Sequence, residues 1–392
     1  MSANIILKRN EERRINSGHL WVFSNEIAKT EIEPDNGDIV EVFDYKNNFI
    51  GKGFYNKNSL IAVRVLKIKE GEDFYSFVRE KILSAFNLRK QFYPERTSFR
   101  LVFSESDFLP GLIIDKYNNT FVLQVYSAGM EKNIQVIVDI LTKEFEAENI
   151  FTKNESYFRK LEGLPEEDKI YSGSMNEEII NDGVLKYKID FHTGHKTGFY
   201  FDQSDNRFFI QKISKGKRVL DAFCNTGGFG LHASYAGAEF VTFVDSSQSA
   251  IKSAEENFFL NGLKSKNEFI IEDVFDFLNR CKENNRFFDL VNLDPPAFAK
   301  NKKSLPTAIK GYEKLNRLAL QIINDGSFLA TSSCSHHLNE AEFIKTINQA
   351  AVKSGKKIQL IHFNGASLDH PQLPAMPETS YLKFALFRVY NY

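Results

Sequence analysis

The sequence predicts an α/β protein with three regions, and two patterns carry that prediction. From residue 217 onward, short apolar segments rich in β-branched and aromatic residues alternate with helical stretches, which is typical of a doubly wound, mostly parallel sheet. Residues 1–68 instead alternate apolar and polar side chains between short turns, as in "GDIVEVFDYKNNFIGKGFY", which indicates a small β-barrel. We therefore expect domains over residues 1–68, 69–188 and 189–392.

The middle region mixes both kinds of element. "EDFYSFVREKILSAFNLRKQF" has helical spacing, and "GLIIDKYNNTFVLQVYS" predicts two strands around an Asn-Asn turn. A further helix is expected near residues 130–146, whereas the acidic stretch "LEGLPEEDKIYSGSMNEE" predicts a solvated loop. The expected result is a central α+β module.

Composition limits the class of protein. A chain of 392 residues is too long for one ordinary core, and 42% hydrophobic with 26% charged residues is typical of a globular protein. No run of 18 apolar residues exists, and "MSANIILKRNEERR" lacks the features of a signal peptide, so we expect a cytoplasmic protein without a membrane partner. Because the net charge is −1, a nucleic-acid partner would have to bind local basic patches.

The C-terminal region should form seven strands with helices between the first six. Ligands of such sheets bind beyond the carboxyl ends of the strands, so the residues after each strand are the candidates for chemistry. The expected strands are "RVLDAF", "FVTFVD", "EFIIED", "FDLVNLD", "SFLATSS", "KIQLIHF" and "YLKFALFRVY".

The first three strand ends indicate a nucleoside-containing cofactor. In "DAFCNTGGFG", Gly227 and Gly228 let the backbone approach a ligand just before a helix begins. Asp245 follows the second strand and could accept hydrogen bonds from ribose hydroxyls, and Asp273 follows the third and could receive an adenine amine. Each has a structural alternative, since a glycine turn can be only a tight connection and both acids could cap helices.

The fourth and fifth expected strands are followed by a carboxylate and a thiol. "NLDPPAFAKNKKS" places Asp294 before two prolines, whose fixed φ angles make a stiff ledge. "TSSCSHH" places Cys334 where the fifth strand meets a loop. The run "KNKKSLPTAIKGYEKLNR" has six basic residues against one acidic, and is either a phosphate-binding segment or a solvated helix face.

Several motifs together resemble a known family. "LDAFCNTGGFG", "VDSSQSAI", "LDPPAF" and "SSCSHH", in this order, resemble class I S-adenosylmethionine-dependent RNA methyltransferases. "SGHLWVFSNEI" and "GKGFYNKNSLIAVRVL" resemble the PUA domain, a small RNA-binding barrel. "KTGFYFDQSDNR" and "DHPQLPAMPETSYLK" are similar to the large-subunit ribosomal RNA cytosine-C5 methyltransferase I family, and the similarity covers nearly the whole chain.

The resemblance implies a Rossmann-like methyltransferase sheet, S-adenosylmethionine as cofactor and large-subunit ribosomal RNA, or its precursor, as partner, with a homodimer as a possible assembly. Cys334 would add to carbon 6 of cytosine, which makes carbon 5 nucleophilic, and Asp294 would hold the N3 and amine edge. We expect RNA contacts from Lys196, Lys300, Lys302 and Lys303. The expected cofactor contacts are Phe201, Gln203, Asn206, Arg207, Asp221, Phe223, Asn225, Thr226, Gly227, Asp245, Ser246, Asp273, Asp294 and Pro295.

One departure from related enzymes leaves part of the mechanism open. Many RNA cytosine-C5 methyltransferases carry a second cysteine after the strand-four proline, where this chain has Pro295, Pro296 and Ala297. A single-cysteine scheme is implied, and the base that removes the C5 proton is not identified. No second Cys/His pair accompanies Cys334, so no metal site is expected.

Other functions remain as alternatives. The Asp-Pro-Pro motif also resembles that of enzymes that methylate a guanine nitrogen without a thiol, although Ala297 fills the position of their aromatic residue and Phe298 comes one step later. A non-catalytic RNA-binding or ribosome assembly factor would have a damaged cofactor loop, which this sequence does not. A small-molecule methyltransferase would leave the N-terminal domain unexplained. A lone cysteine can also be only a small buried hydrophobe.

Overall fold

The computed structural model describes residues 3–68, 71–192, 196–299 and 301–391, which form two compact units. The first unit comprises Met1–Gly183, Ile189–Phe201 and Leu368–Thr379. The second comprises Val184–Lys188, Asp202–Ser367 and Ser380–Tyr392. The division into three domains stays a prediction. None of the described helices is both long and apolar enough to span a membrane.

The N-terminal part of the first unit is a six-stranded sheet, in the region where the alternating pattern predicts a small β-barrel. Its strands are β1 (Asn4–Leu7), β2 (Trp21–Phe23), β3 (Ile27–Thr30), β4 (Ile39–Phe43), β5 (Phe49–Tyr55) and β6 (Ile61–Leu66), and α1 (Glu12–Asn16) follows β1. The strand order is β2-β6-β5-β4-β1-β3, with β1 parallel to β4. Gly53 is required where β5 meets β6, because a Cβ there would lie 2.5 Å from Cγ1 of Val63.

A five-stranded sheet with helices follows in the same unit. Its strands are β7 (Phe99–Phe103), β8 (Leu112–Tyr117), β9 (Thr120–Val125), β10 (Asn149–Thr152) and β11 (Ile170–Ser172). The helices are α2 (Phe74–Phe92), α3 (Ala128–Lys132), α4 (Ile134–Phe145) and α5 (Ser156–Glu162). The Asn118-Asn119 turn joins β8 to β9, and Asn118 has a φ of 52°. The prediction of a loop over the acidic stretch is wrong in part, because β11 lies within it and pairs with β10.

The second unit contains the predicted seven-stranded sheet. Two short strands precede it in the chain, β12 (Glu178–Asn181), which belongs to the first unit, and β13 (Lys186–Ile189). The seven strands are β14 (Arg218–Ala222), β15 (Phe240–Asp245), β16 (Lys266–Ile271), β17 (Phe288–Leu293), β18 (Ile323–Ser333), β19 (Lys356–Asn364) and β20 (Lys383–Asn391). The helices are α6 (Ser204–Ser214), α7 (Gly228–Tyr235), α8 (Gln248–Leu260), α9 (Val274–Glu283), α10 (Leu305–Leu320) and α11 (Glu340–Lys353).

The strand order of this sheet, β16-β15-β14-β17-β18-β20-β19, brings several strand ends that carry predicted site residues to one edge. The first five strands are parallel, and β20 is antiparallel to both of its neighbours. Ala222 pairs with Leu293, and Leu293 pairs with Thr331. The segments that follow β14, β17 and β18 are therefore neighbours at the carboxyl end of the sheet.

Candidate active site

The loop between β14 and α7 turns back sharply over the end of its strand. Phe223, Asn225 and Gly227 have φ angles of 61°, 47° and 87°, which are uncommon for residues other than glycine. The amide of Gly227 donates to the carbonyl oxygen of Cys224 at 2.8 Å, which closes the turn. Thr226 lies between them, half-buried.

Asp245 joins this loop to the end of β15. Its carboxylate accepts the backbone amide of Asn225 at 3.0 Å and that of Ser247 at 2.9 Å. The side chain remains partly exposed, and the adjacent Ser246 is exposed. Asp245 is therefore oriented by two backbone amides at the strand end where a ribose contact is predicted.

Asp221 and Asp273 each accept a backbone amide from the first turn of a helix. Asp221 is buried and accepts the amide of Gly230, in the first turn of α7, at 2.7 Å and Nδ2 of Asn292 at 3.0 Å. Burial raises the pKa of Asp221 to about 7. Asp273 is exposed and caps α9, where it accepts the amide of Phe275 at 2.8 Å. The capping alternative therefore describes Asp273, and the cofactor contacts of both acids stay predictions.

A hydrogen-bond chain holds Asp294 after β17. Nε2 of Gln203 donates to Oδ1 of Asp294 at 2.8 Å and to Oγ of Ser332 at 3.1 Å. Oε1 of Gln203 accepts in turn from Nδ2 of Asn206 at 2.7 Å, and both amide side chains are buried. Two predicted cofactor residues from the start of α6 thus fix the predicted base-holding carboxylate.

The carboxyl of Asp294 is readily protonated. Burial raises its pKa to about 7, and the negative charge of Asp202 acts in the same direction. Arg207 and the hydrogen bonds from Gln203 and Ser332 oppose the shift without cancelling it. Near neutral pH the group therefore exists in both forms, although its side chain keeps some exposure to solvent.

The sequence pair Gly227-Gly228 is needed for packing as well as for the turn. An ideal Cβ at Gly228 would lie 2.5 Å from Nε of the buried Arg207. The guanidinium carbon also lies 5.9 Å from the ring centroid of Phe229. Arg207 therefore lies against the first turn of α7, close enough for its charge to act on both Asp221 and Asp294.

Cys334 is the accessible thiol of the chain. Its Sγ lies 3.9 Å from the carbonyl oxygen of Pro295, and the residue is only half-buried. Cys224 and Cys281 are buried, and burial raises the pKa of Cys281 to about 11 and that of Cys224 well above its usual range. The structure thus brings the end of β18 against the Asp-Pro-Pro ledge, as the motif order predicts.

Residues that the sequence did not single out hold the turn around Cys334. Oγ of Ser335 accepts the amide of Ala299 at 3.2 Å and lies 3.0 Å from the hydroxyl of Tyr312. Nζ of Lys383, on β20, donates to the carbonyl oxygen of Ser335 at 2.7 Å. A lysine that opens the apolar strand "KFALFRVY" was the available signal for this contact.

The remaining predicted residues are dispersed. Phe201 belongs to the first unit, where it is buried near Tyr117 and Phe199. Lys196, exposed, also belongs to that unit, and Lys302 and Lys303 are exposed in a short 3₁₀ helix before α10. Lys300 lies outside the described residues. No metal-binding group of His, Cys, Asp or Glu occurs among the residues that the structure describes.

Known proteins match the chain along its length. A family model for a PUA-like domain matches residues 5–67, and one for S-adenosylmethionine-dependent methyltransferases matches residues 169–388. The ribosomal RNA large subunit methyltransferase I of Photobacterium profundum is 38% identical over 390 residues, covering 98% of each chain. That of Aeromonas hydrophila is 37% identical over 396 residues, covering 99% of this chain and all of the relative.

A solved structure shares the fold. The crystal structure of SMU.776 in complex with SAH aligns with a TM-score of 0.85 at 20% identity, covering 99% of this chain and all of that one. The predicted combination of a PUA-like domain with a seven-stranded methyltransferase sheet is confirmed. The chain is an S-adenosylmethionine-dependent methyltransferase and belongs to the ribosomal RNA large subunit methyltransferase I family.

Proposed function

We propose that this chain methylates carbon 5 of a cytosine in large-subunit ribosomal RNA, or its precursor, in the cytoplasm, through a covalent adduct with Cys334. The observation that carries the proposal is the 3.9 Å approach of the half-buried Cys334 thiol to the carbonyl oxygen of Pro295, directly beside Asp294. The names of the curated relatives support the RNA substrate.

The residues at the sheet edge fit the cofactor. Asp245 presents a partly exposed carboxylate beside Asn225 and Thr226, in a loop that the left-handed Gly227 keeps tightly turned. A carboxylate at the end of the second strand is suited to ribose hydroxyls. When bound, S-adenosylmethionine supplies an electrophilic methyl group.

Cys334 makes the cytosine reactive. Its thiolate forms a bond to carbon 6, and the displaced electron pair makes carbon 5 a nucleophile that can take the methyl group. The C5 proton then passes to a base, the electrons of the C5–H bond restore the ring double bond, and the sulfur leaves carbon 6. No residue is assigned as that base.

Asp294 is suited to hold the base during this addition. Because burial raises the pKa of Asp294 to about 7, a protonated fraction can donate a hydrogen bond to N3 as negative charge develops on the ring. Gln203 already donates to Oδ1, which fixes the orientation of the carboxyl group. The same carboxyl can accept from the exocyclic amine, which no uracil carries.

Guanine N-methylation is the weaker candidate. That reaction uses an aromatic side chain after Asp-Pro-Pro, where this chain has Ala297. The nearest ring, Phe298, is packed against Tyr312 with ring centroids 4.6 Å apart. The half-buried ring is therefore packed against the core, and nitrogen methylation leaves the half-buried thiol without a role.

Trapping with a fluorinated base tests the proposal. RNA containing 5-fluorocytosine at the target should form a stable adduct with the enzyme and S-adenosylmethionine, because fluorine cannot leave as a proton and elimination stalls. Denaturing gel mobility and peptide mass mapping should locate the adduct on Cys334. Unmodified RNA is the matched substrate control.

Cysteine variants distinguish loss of the nucleophile from loss of the folded structure. Cys334→Ser should lose both the adduct and turnover yet keep S-adenosylmethionine binding, since a hydroxyl is a much weaker nucleophile at neutral pH. Cys224→Ser and Cys281→Ser should still be trapped. A Cys334→Ser enzyme with substantial activity would refute covalent catalysis and favour nitrogen methylation.

A further inference from the structure

Lys383 is a buried cation whose hydrogen-bond partners are neutral. Only 4% of its surface is exposed, and Nζ donates to the carbonyl oxygens of Ser335 and Tyr381, each at 2.7 Å. Among the described residues, no carboxylate lies within ion-pair distance of it. Burying a charge without a counter-ion is costly, so such a lysine calls for an anionic partner in some state of the protein.

The strand register places this ammonium group against the turn that carries the thiol. Lys383 pairs with Ser333, the last residue of β18, and its Nζ contacts the carbonyl of Ser335. Cys334 is the residue between these two contacts. The lysine is therefore held against the turn that carries the thiol, by a strand whose own backbone is fixed in the sheet.

The electrostatics agree with this placement. Burial lowers the pKa of Lys383 to about 8, and the groups that raise it are Cys334 first and Glu340 second. An ammonium has three donor hydrogens, of which the two carbonyls use two. One N–H thus remains for a further acceptor, such as a sulfur anion.

We infer that Lys383 is a positioning residue for the nucleophile: its ammonium group stabilises the Cys334 thiolate and holds the turn that carries it. The inference rests on the proposed function, because it concerns the thiol that the proposal makes reactive. On ionisation the thiol proton passes to solvent, while Lys383 stays protonated and becomes half of a buried ion pair. The pair then has the counter-ion that the lysine lacks in the neutral state.

Other groups around the thiol are less suited to this role. The hydroxyl of Tyr312, from α10, lies near Ser335, and as a neutral group it carries no compensating charge. His336 is exposed and lies against the Tyr381 ring, with centroids 5.3 Å apart. Glu340, at the start of α11, is an acid and would oppose a thiolate. Lys383 is the buried cation of this group.

The pH dependence of Cys334 alkylation tests the inference. Intact full-length enzyme would react with iodoacetamide from pH 5.5 to 9.5, with modification at Cys334 read by peptide mass mapping. In Lys383→Gln, which keeps a side-chain donor but removes the charge, the midpoint of the profile should rise by about one pH unit or more, and the rate at pH 7 should fall about tenfold. Lys383→Arg should keep a profile close to the wild type.

Two further results distinguish an electrostatic role of Lys383 from a purely structural one. An alkylation profile of Lys383→Gln that matches the wild type, in a variant that still binds S-adenosylmethionine, would overturn the inference. The role of the lysine would then be limited to its hydrogen bonds to the turn. Should that variant fail to fold, the wild type still decides, since a midpoint at or above that of a free cysteine, about 8.5, contradicts thiolate stabilisation. Failure of the proposed function is distinguishable, because it would appear as turnover by Cys334→Ser.

Discussion

Single residues at the end of the sheet have environments that suit distinct roles. Asp221 and Asp294 are both carboxyls whose pKa burial raises to about 7, yet their contacts differ. Asp221 accepts from the α7 backbone and from Asn292, and so supports the loop. Asp294 is oriented by Gln203 and keeps some exposure, as its proposed contact with a base requires.

The pH dependence of turnover should report the protonation of Asp294. Its raised pKa means that the hydrogen-bond-donating form is present below about pH 7 and is lost as the pH rises through that value. We expect wild-type kcat/KM to lose this contribution above neutral pH. In Asp294→Asn, whose amide does not titrate, that fall should disappear, with kcat reduced about 10²-fold.

The matched control is Asp221→Asn, which replaces a fully buried carboxyl of similar pKa that accepts from Gly230 and Asn292. Its profile should keep the alkaline fall of the wild type. An Asp294→Asn enzyme whose alkaline limb is unchanged would show that another group carries that ionisation.

At the scale of elements, Asp273 and Asp245 differ in the backbone amides that they bind. Asp273 is the N-cap of α9 and Asp245 connects two loops, so their substitution should separate stability from binding. Asp273→Ala should lower the free energy of unfolding by about 1 kcal/mol, because the cap hydrogen bonds are lost. Chemical denaturation measures this change.

Asp245→Ala provides the contrast. It should weaken S-adenosylmethionine binding by about 1–3 kcal/mol in calorimetry, through loss of a charge-assisted pair. If Asp273→Ala weakens the cofactor as strongly as Asp245→Ala, Asp273 has a ligand contact in addition to its cap.

One element shows where local patterns are insufficient. The composition of the acidic stretch around β11 predicts a loop, yet Ile150 and Phe151 of β10 pair with Ser172 and Ile170. A three-residue edge strand has too few alternating positions to give a periodic signal. Its pairing depends on a neighbouring strand that is distant in sequence.

On the scale of the whole molecule, a net charge of −1 leaves RNA binding to local clusters. Lys302 and Lys303 are exposed at the start of such a cluster. Neutralising Lys300, Lys302 and Lys303 together should weaken RNA binding and reduce its salt dependence by up to about three charges, with cofactor affinity unchanged. Filter binding across a series of salt concentrations measures the slope.

The same substitution at three exposed lysines elsewhere, Lys252, Lys264 and Lys282, controls for loss of overall charge. If both triple variants reduce the salt dependence of RNA binding equally, the lysines at 300–303 form only a solvated surface. Assembly of the chain into a homodimer stays a prediction, and sedimentation at several concentrations would test it.

Alternation was sufficient to predict the seven strands and to place Cys334 after the fifth of them, because strand patterns depend on local backbone preferences that act within a few residues. The identity of the cofactor came from the resemblance of several motifs to a known family. The partners of Asp294 and Cys334 required the folded sheet, because Gln203 and Asp294 are 91 residues apart and Ser335 and Lys383 are 48 apart. Burial, which moves the pKa values of Asp294 and Lys383 toward neutrality, is likewise a property of packing that no short segment of the chain contains.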